Sequence, residues 1–484
     1  MTAVPYRWRW IGLLAVLAAA LMNLLDSNVV SIAAPTIRND LGGSYADLQW
    51  LTAGYTLAMA VGLLTGGRLG DMFGRKRMLL IGAVGFTVAS VACALAPSEG
   101  VLITARIAQG LVGAVMVPQG FGLIRDMFPP QDVGKAFGVF GPTIGMATIL
   151  GPIVAGLLIR LDGWRLIFLI NVPLGLAAIA VGIRFLPAVA PAARNSRLDL
   201  TGTVLAGAAM FLLVYPLVEG RQLGWPGWSL GLLGCSVPAF GVFAVYQLSR
   251  ERAGKSPLVA LRVFAKRSYS SGVVFVLVFF GAVAGISLSI GLLLQIGLGY
   301  TPAHASVIAA TWAIGAFLGT GISAGLAPKL GRNVLHTGLT VMVAGLAGVY
   351  LVLSHAHAVL SGWALAGPLL AYGAGMGMIF LPLYDIIIAD VEDHEVGSAA
   401  GVLEAVQQLG GSLGVAVLGT IFFSLMDSGA AAHRASSLHA ADVTTLVTIA
   451  ITVAAFALGF LLPRKPRPAA QLPTDPVPAE TALV

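Results

Sequence analysis

The sequence predicts an all-α membrane protein, and three observations carry that reading. Of its 484 residues, 57% are hydrophobic and 10% are charged, against about 25% charged in ordinary soluble domains. The mean hydropathy of +0.90 is too high for a water-soluble globule of this length. The apolar residues also fall into fourteen runs, and a helix that crosses a bilayer needs about 20 mostly apolar residues.

The runs lie near 10–34, 47–66, 78–97, 100–123, 134–159, 164–187, 198–218, 228–248, 270–293, 303–327, 333–354, 360–389, 397–425 and 441–462. The first is too long for a signal peptide, and Asn23 and Asp26 interrupt its apolar centre. The second and third are joined by a tight basic turn, Gly66–Arg77. The fourth carries Arg106, and the fifth is rich in glycine and proline. The eighth is followed by a long basic linker, Arg250–Arg267. The twelfth and thirteenth carry Asp385 and Glu404. After Pro463 the chain is rich in proline and alanine with no apolar run, the composition of a disordered tail.

Lysine and arginine set the orientation. With the N-terminus inside, 22 of the 28 fall in cytoplasmic segments, and Arg38, Arg160, Arg165, Arg221 and Arg434 fall outside; Arg106 lies within a span. Both termini are expected in the cytoplasm, with the chain crossing the inner or plasma membrane many times and contacting lipid. The net charge of +7 is spread through short loops, so no nucleic-acid partner is expected. Cys93 and Cys235 both stand in apolar runs and read as small buried hydrophobes, not as a disulfide.

The chain repeats itself weakly. Leu69-Gly70-Asp71-Met72-Phe73-Gly74-Arg75 has an echo 257 residues later in Leu326-Ala327-Pro328-Lys329-Leu330-Gly331-Arg332. Residues 10–188 and 270–462 therefore read as two copies of one six-helix bundle. Residues 198–248 are an inserted helix pair, 249–269 a basic linker, and 463–484 the tail.

An ionisable side chain at mid-bilayer costs about 2.5–3.5 kcal/mol on insertion scales, so each one needs a reason. Asp26 lies about eight residues from the outer end of its span, or ~12 Å. Arg106 lies about six from the outer end of its own, or ~9 Å, so the two can meet. Asn23 is one turn from Asp26 on the same face. Asp26 reads either as a water-reached proton or cation site, or as one half of a neutralising pair that holds the bundle together. In the other half, Glu404, Gln407, Gln408 and Gly411 form a polar stripe on one helix face. Asp385 lies nearer the cytoplasm. Each of these acids reads either as a coupling site or as a carboxylate wetted at a helix end. Met22, Tyr55, Gln109, Met116, Gln295 and Trp312 are candidates to line an adaptable cavity, or else ordinary core.

In the fifth run, Gly138, Gly141, Gly145, Pro152 and Gly156 recur down one side, with Pro142 and Gly151 beside them. Two prolines each remove a backbone donor and favour a bend. The smooth stripe suits close packing and also suits two bundles rocking past each other.

Gly66-Gly67-Arg68-Leu69-Gly70-Asp71-Met72-Phe73-Gly74-Arg75-Lys76-Arg77, placed between two spans, resembles the signature loop of the major facilitator superfamily of secondary transporters. The fifth-span stripe resembles the antiporter motif of that superfamily. Leu25-Asp26-Ser27-Asn28-Val29-Val30-Ser31-Ile32-Ala33-Ala34-Pro35 resembles the first-span motif of its fourteen-span drug:proton antiporters. Arg106, Gln109 and Gly110 resemble their fourth-span motif. Trp164-Arg165-Leu166-Ile167-Phe168-Leu169-Ile170-Asn171-Val172-Pro173 is similar to their pattern before span six, and Gln408–Gly414 to that of span thirteen. The resemblance implies a major facilitator fold with fourteen transmembrane helices, built as two six-helix bundles plus two inserted helices. It also implies proton transfer at Arg106, and an inner gate in which Asp71, with Gly74 and Arg75, contacts the second half in the outward-open state. Gly145, Gly151, Pro152 and Gly156 would serve the rocking. Pro328 stands where Asp71 would be in the echo loop, so only one half is expected to carry the gate.

The resulting expectation is a secondary active transporter, a proton-coupled antiporter that exports drugs or other lipophilic, cationic compounds by alternating access. It would act as a monomer on a small-molecule substrate, with the proton as coupling ion and no cofactor or metal. Export of one endogenous metabolite, or passive movement through a facilitator or channel, are the competing readings. An enzyme is not expected. The seven histidines show no ligand spacing with carboxylates, and the fragment Gly254-Lys255-Ser256 lacks the upstream glycine of a phosphate-binding loop.

Overall fold

The computed structural model describes residues 6–129, part of 130–152, 153–189, 198–355 except 254, 256 and 260, 360–388, 391, 396–426 and 433–463. Among the described residues, thirteen helices are long and apolar enough to cross a membrane. They are α1 (Arg9–Leu41), α2 (Tyr45–Phe73), α3 (Arg75–Ala94), α4 (Glu99–Met127), α6 (Asn171–Phe185, entered through the short helix Leu166–Leu169), α7 (Leu200–Glu219) and α8 (Gly227–Arg252), followed by α9 (Arg267–Leu292), α10 (Pro302–Leu330), α11 (Asn333–Ser354), α12 (Ala366–Ile387), α13 (Val396–Ser424) and α14 (His433–Gly459). Of the fifth predicted run, residues 153–162 are described and helical, and we label them α5.

Local chemistry sets the ends of these helices. Ser44 caps α2: its Oγ accepts from Asp47 N, and Asp47 Oδ2 accepts from Ser44 N at 2.8 Å, a reciprocal capping box. Gly74 joins α2 to α3 at φ +93°, a backbone region that L side chains avoid. Asp199 caps α7, accepting from Gly202 N at 2.9 Å, Tyr246 Oη at 3.0 Å and Gln247 Nε2 at 2.9 Å, with Arg250 Nε at 3.3 Å. Burial alone would raise this carboxyl. The Gly202 amide, Gln247, Tyr246 and Arg250 outweigh it and hold the group below the ordinary carboxylate range. The same cluster anchors the linker, since Gln247 Oε1 accepts from Leu258 N and Arg68 Nη1 donates to Pro257 O at 3.0 Å.

Two sets of helices pack among themselves. In the first, α2 and α3 lie along α4, and α6 closes against α1 and α3. In the second, α10 and α11 flank α12, while α9 lies along α13 and α14. The contact of α9 with α13 is backbone-close: a Cβ on Gly414 would stand 1.9 Å from Gly281 O. Helices α7 and α8 form a hairpin whose outer surface is apolar, with Val237, Val242 and Val245 exposed. Cys235 is exposed on that surface and Cys93 is buried. The expectation of two buried cysteines therefore holds for Cys93 and fails for Cys235, because α8 is a peripheral helix whose apolar run faces outward.

The sets meet along α2 and α13. Toward the end predicted to face outward, here the outer end, Tyr45 stacks on Phe423 at 4.4 Å and Ser412 Oγ donates to Ala53 O at 3.1 Å. Helix α7 straddles this seam. Trp50 Nε1 donates to Glu219 Oε1 at 2.7 Å, Thr420 Oγ1 to Leu217 O at 2.8 Å, and Arg221 Nη2 to Phe423 O at 2.6 Å.

Candidate functional site

Asp26 on α1 and Arg106 on α4 reach each other. They form an ion pair through Arg106 Nη1 and Asp26 Oδ2, with only 1% of the Arg106 surface and 2% of the Asp26 surface exposed. Asp26 Oδ1 accepts from Gln109 Nε2 and from Asn171 Nδ2, each at 2.9 Å. Arg106 donates further to Gln109 Oε1 at 2.7 Å and to Leu51 O at 3.1 Å, and its guanidinium lies 4.1 Å from the Tyr55 ring centre. Ser90 Oγ accepts from Gln109 at 2.8 Å and from Asn171 at 3.2 Å, while Cys93 Sγ donates to Gln109 Oε1 at 3.7 Å. Five helices (α1, α2, α3, α4 and α6) thus share one polar knot.

Charges this deep persist only when paired and hydrogen-bonded. The knot meets that condition almost completely; Asn171 Oδ1 is buried with no hydrogen-bond partner. The predicted meeting of Asp26 and Arg106 is present. The predicted access of water to Asp26 is not, because Gln109, Asn171 and Arg106 enclose it. Asn171 and Ser90 were not among the sequence candidates.

The other candidates divide among separate places. Asn23 Nδ2 donates to Tyr55 Oη at 2.7 Å and contacts Met59 Sδ at 3.8 Å, beside the knot. Met116 is buried between α3 and α4, where a Cβ on Gly82 would lie 2.7 Å from its Cβ, so it packs as core. Glu404 and Gln408 are half-buried on α13. Tyr384, from α12, stands within electrostatic reach of Glu404 and donates its hydroxyl to Gln407. Asp385 is exposed near the inner end of α12. Trp312 on α10 meets Tyr372 of α12 edge-on at 5.4 Å, and both Trp312 Nε1 and Tyr372 Oη are buried without a hydrogen-bond partner. Gln295 lines a cavity at the outer end.

At the inner end, Arg75 bridges Asp71 at 3.3 Å and Asp126 at 2.9 Å, and Lys76 Nζ donates to Ile183 O and Leu186 O. Asp71 is thus paired within its own half. In α5, a Cβ on Gly156 would lie 2.6 Å from Ala303 Cα of α10, so the helices touch there across the halves. Gly151 is buried and helical, whereas Gly145 and Pro152 lie outside the described residues.

The family model of the Major Facilitator Superfamily matches residues 16–415. The chain is 45% identical over 433 residues to a probable actinorhodin transporter of Streptomyces coelicolor, covering 88% of this chain and 75% of that one. It is 35% identical to a tetracenomycin C resistance and export protein of Streptomyces glaucescens, over 86% of this chain and 76% of the other. The crystal structure of a bacterial homologue of the human lysosomal transporter Spinster superposes with a TM-score of 0.63 at 16% identity, over 95% and 97% of the two chains. With its helices, its signature turn and these relatives in agreement, the chain belongs to the Major Facilitator Superfamily of membrane transporters.

Proposed function

We propose that this transporter is a proton-coupled antiporter that exports lipophilic, antibiotic-like compounds by alternating access across the inner or plasma membrane. It works as a monomer with the proton as coupling ion and no further cofactor. The observation that carries the reading is the five-helix knot on Asp26. A proton on Asp26 Oδ2 cancels the charge that Arg106 answers, and Arg106 cannot stay unpaired in an apolar interior without large cost. The knot therefore has two arrangements, and switching between them moves α1, α4 and α6 together. Asp71, held by Arg75 within its own half, is released to reach the second half when the inner end closes. The two relatives, an actinorhodin transporter and a tetracenomycin C exporter, favour export as the direction and antibiotics as the cargo class.

The energy suffices. A unit charge crossing 100 mV yields ~2.3 kcal/mol, and a tenfold proton gradient ~1.4 kcal/mol. Together these let one proton support a gradient of roughly several hundredfold for an uncharged cargo. A monovalent cationic cargo exchanged one for one draws on the pH difference alone. Glu404, half-buried beside Tyr384 and Gln407, suits such a cation. The test is proteoliposomes loaded with a pH dye and challenged with ethidium. Ethidium should release protons in wild type, and ethidium transport without a proton signal would overturn antiport.

A further inference from the structure

A cavity of about 300 Å³ lies between the two halves at the outer end, lined by Thr36, Arg38, Asn39 and Tyr45 on one side and by Gln295 and Tyr300 on the other. That volume is within the range of small-molecule sites. On one side, α1 runs past its apolar span to Leu41 and carries Arg38 to the rim. On the other, α9 gives way to a π-helical turn over Leu293–Gly297, in which Leu298 N donates to Leu293 O at 2.8 Å. Such turns insert a residue into a helix and re-aim its side chains. Here the turn carries Gln295, whose Nε2 is buried with no hydrogen-bond partner. An unpaired amide donor at a cavity wall is costly unless something accepts from it.

The lining is cationic and aromatic. Arg38 Nε donates to Gly43 O at 3.2 Å, and its guanidinium stacks on Tyr45 at 4.0 Å. Tyr300 Oη accepts from Gly362 N at 2.8 Å, and its ring stacks on His304 at 4.3 Å. No carboxylate is among the lining residues. Of the nearby acids, Glu99 stands within electrostatic reach of Arg38 but outside the lining. Asp40 accepts from Trp164 at 2.8 Å and Arg165 at 2.7 Å, and these donors hold its carboxyl below the ordinary range. Asp47 is held in the cap of α2, with Glu99 hydrogen-bonded to it.

We propose that this outer cavity is a release site that takes hydroxylated aromatic compounds in their anionic form, with Arg38 and the Gln295 amide meeting the ligand's oxygens and the Tyr300 ring meeting its face. The proposal rests on the export reading above and widens the cargo beyond the cations that Glu404 suits. Binding at the outer end of an exporter is the last step before escape, so the site sets which compounds leave easily and which return.

The test is equilibrium dialysis of the full-length protein in nanodiscs with 1-hydroxy-2-naphthoate, alongside ethidium as the cationic control. Charge-assisted hydrogen bonds are the strong ones, so Arg38→Gln should lower the naphthoate-to-ethidium affinity ratio by about tenfold or more. Gln295→Ala should lower it several-fold, and Arg38→Lys, which keeps the charge and disturbs packing least, should retain most of it. Absence of naphthoate binding to wild type, or an unchanged ratio in Arg38→Gln and Gln295→Ala, would overturn the site. The measurement needs no transport. A protein that binds naphthoate through Arg38 but moves no protons keeps the site and loses the antiport reading.

Discussion

Replacing Asp26 by asparagine is the most informative single change to this molecule. The amide keeps one oxygen for the Gln109 and Asn171 donors, but it points an N–H at Arg106 Nη1, itself a donor, so two donors face each other and the guanidinium loses its counter-charge. Arg106 keeps Gln109 Oε1, Leu51 O and the Tyr55 ring, none of which carries a full negative charge. Removing one partner of a buried pair costs about 3–5 kcal/mol. At about 2–4 °C per kcal/mol for a unit of 150–250 residues, the melting temperature falls on the order of 10 °C. The double variant Asp26→Asn/Arg106→Gln removes both charges and should recover at least half of that loss. Thermal unfolding of detergent-purified protein, read by size-exclusion retention after heating, measures both. The transport assay then separates support from coupling: the double variant should be stable yet unable to drive ethidium uphill with a pH gradient. A single variant as stable as wild type would refute the energetic argument, and uphill pumping by the double variant would refute the coupling role.

Glu404→Gln should weaken ethidium binding several-fold and leave an uncharged dye of similar size unaffected, as read by fluorescence titration. Gly414→Val places side-chain atoms where α13 touches the α9 backbone at Gly281 O. It should separate those helices and lower stability by several kcal/mol, in keeping with overpacking where the neighbour is backbone, seen as loss of monodisperse protein. Asp199→Ala removes the α7 cap and should cost about 1 kcal/mol. Because Asp199 titrates below its ordinary range in the fold, its charge stabilises fully above about pH 4 and that benefit disappears as pH falls further. Melting curves of wild type and Asp199→Ala should therefore differ at pH 7 and draw together as the pH falls through the lowered range of this carboxyl.

Much of the architecture was legible because a bilayer leaves a chain few options. Backbone polar groups must be satisfied within each span, so run length alone located the thirteen helices, and Gly74 marked the turn between α2 and α3. The Asp26–Arg106 contact was legible because both charges interrupt apolar runs at similar depth. Asn171 was not, although it stands in the quoted Trp164–Pro173 pattern. It lies inside the predicted run 164–187 as a lone amide with no charge to mark it, and the structure buries it in the first turn of α6. Ser90 gave no signal at all, since a serine inside a membrane helix ordinarily bonds the carbonyl four residues back, and Ser90 does bond Phe86 O at 2.8 Å. Cys235 misled for the opposite reason: an apolar run on a peripheral helix has the same composition as a buried one. The outer cavity joins residues some 260 positions apart through a π turn, and the period of Leu293-Leu294-Gln295-Ile296-Gly297 does not announce it.

The hydrogen bonds that α7 makes to both Trp50 and Thr420 give the molecule a mechanical oddity. Its halves never face each other bare along that edge, because a third party holds hands with each. Under the proposed alternating access, an opening to the exterior would oblige the hairpin to let go of one side, and the side it kept would be the heavier rotor. In that cycle, a helix outside both six-helix bundles would help to govern turnover.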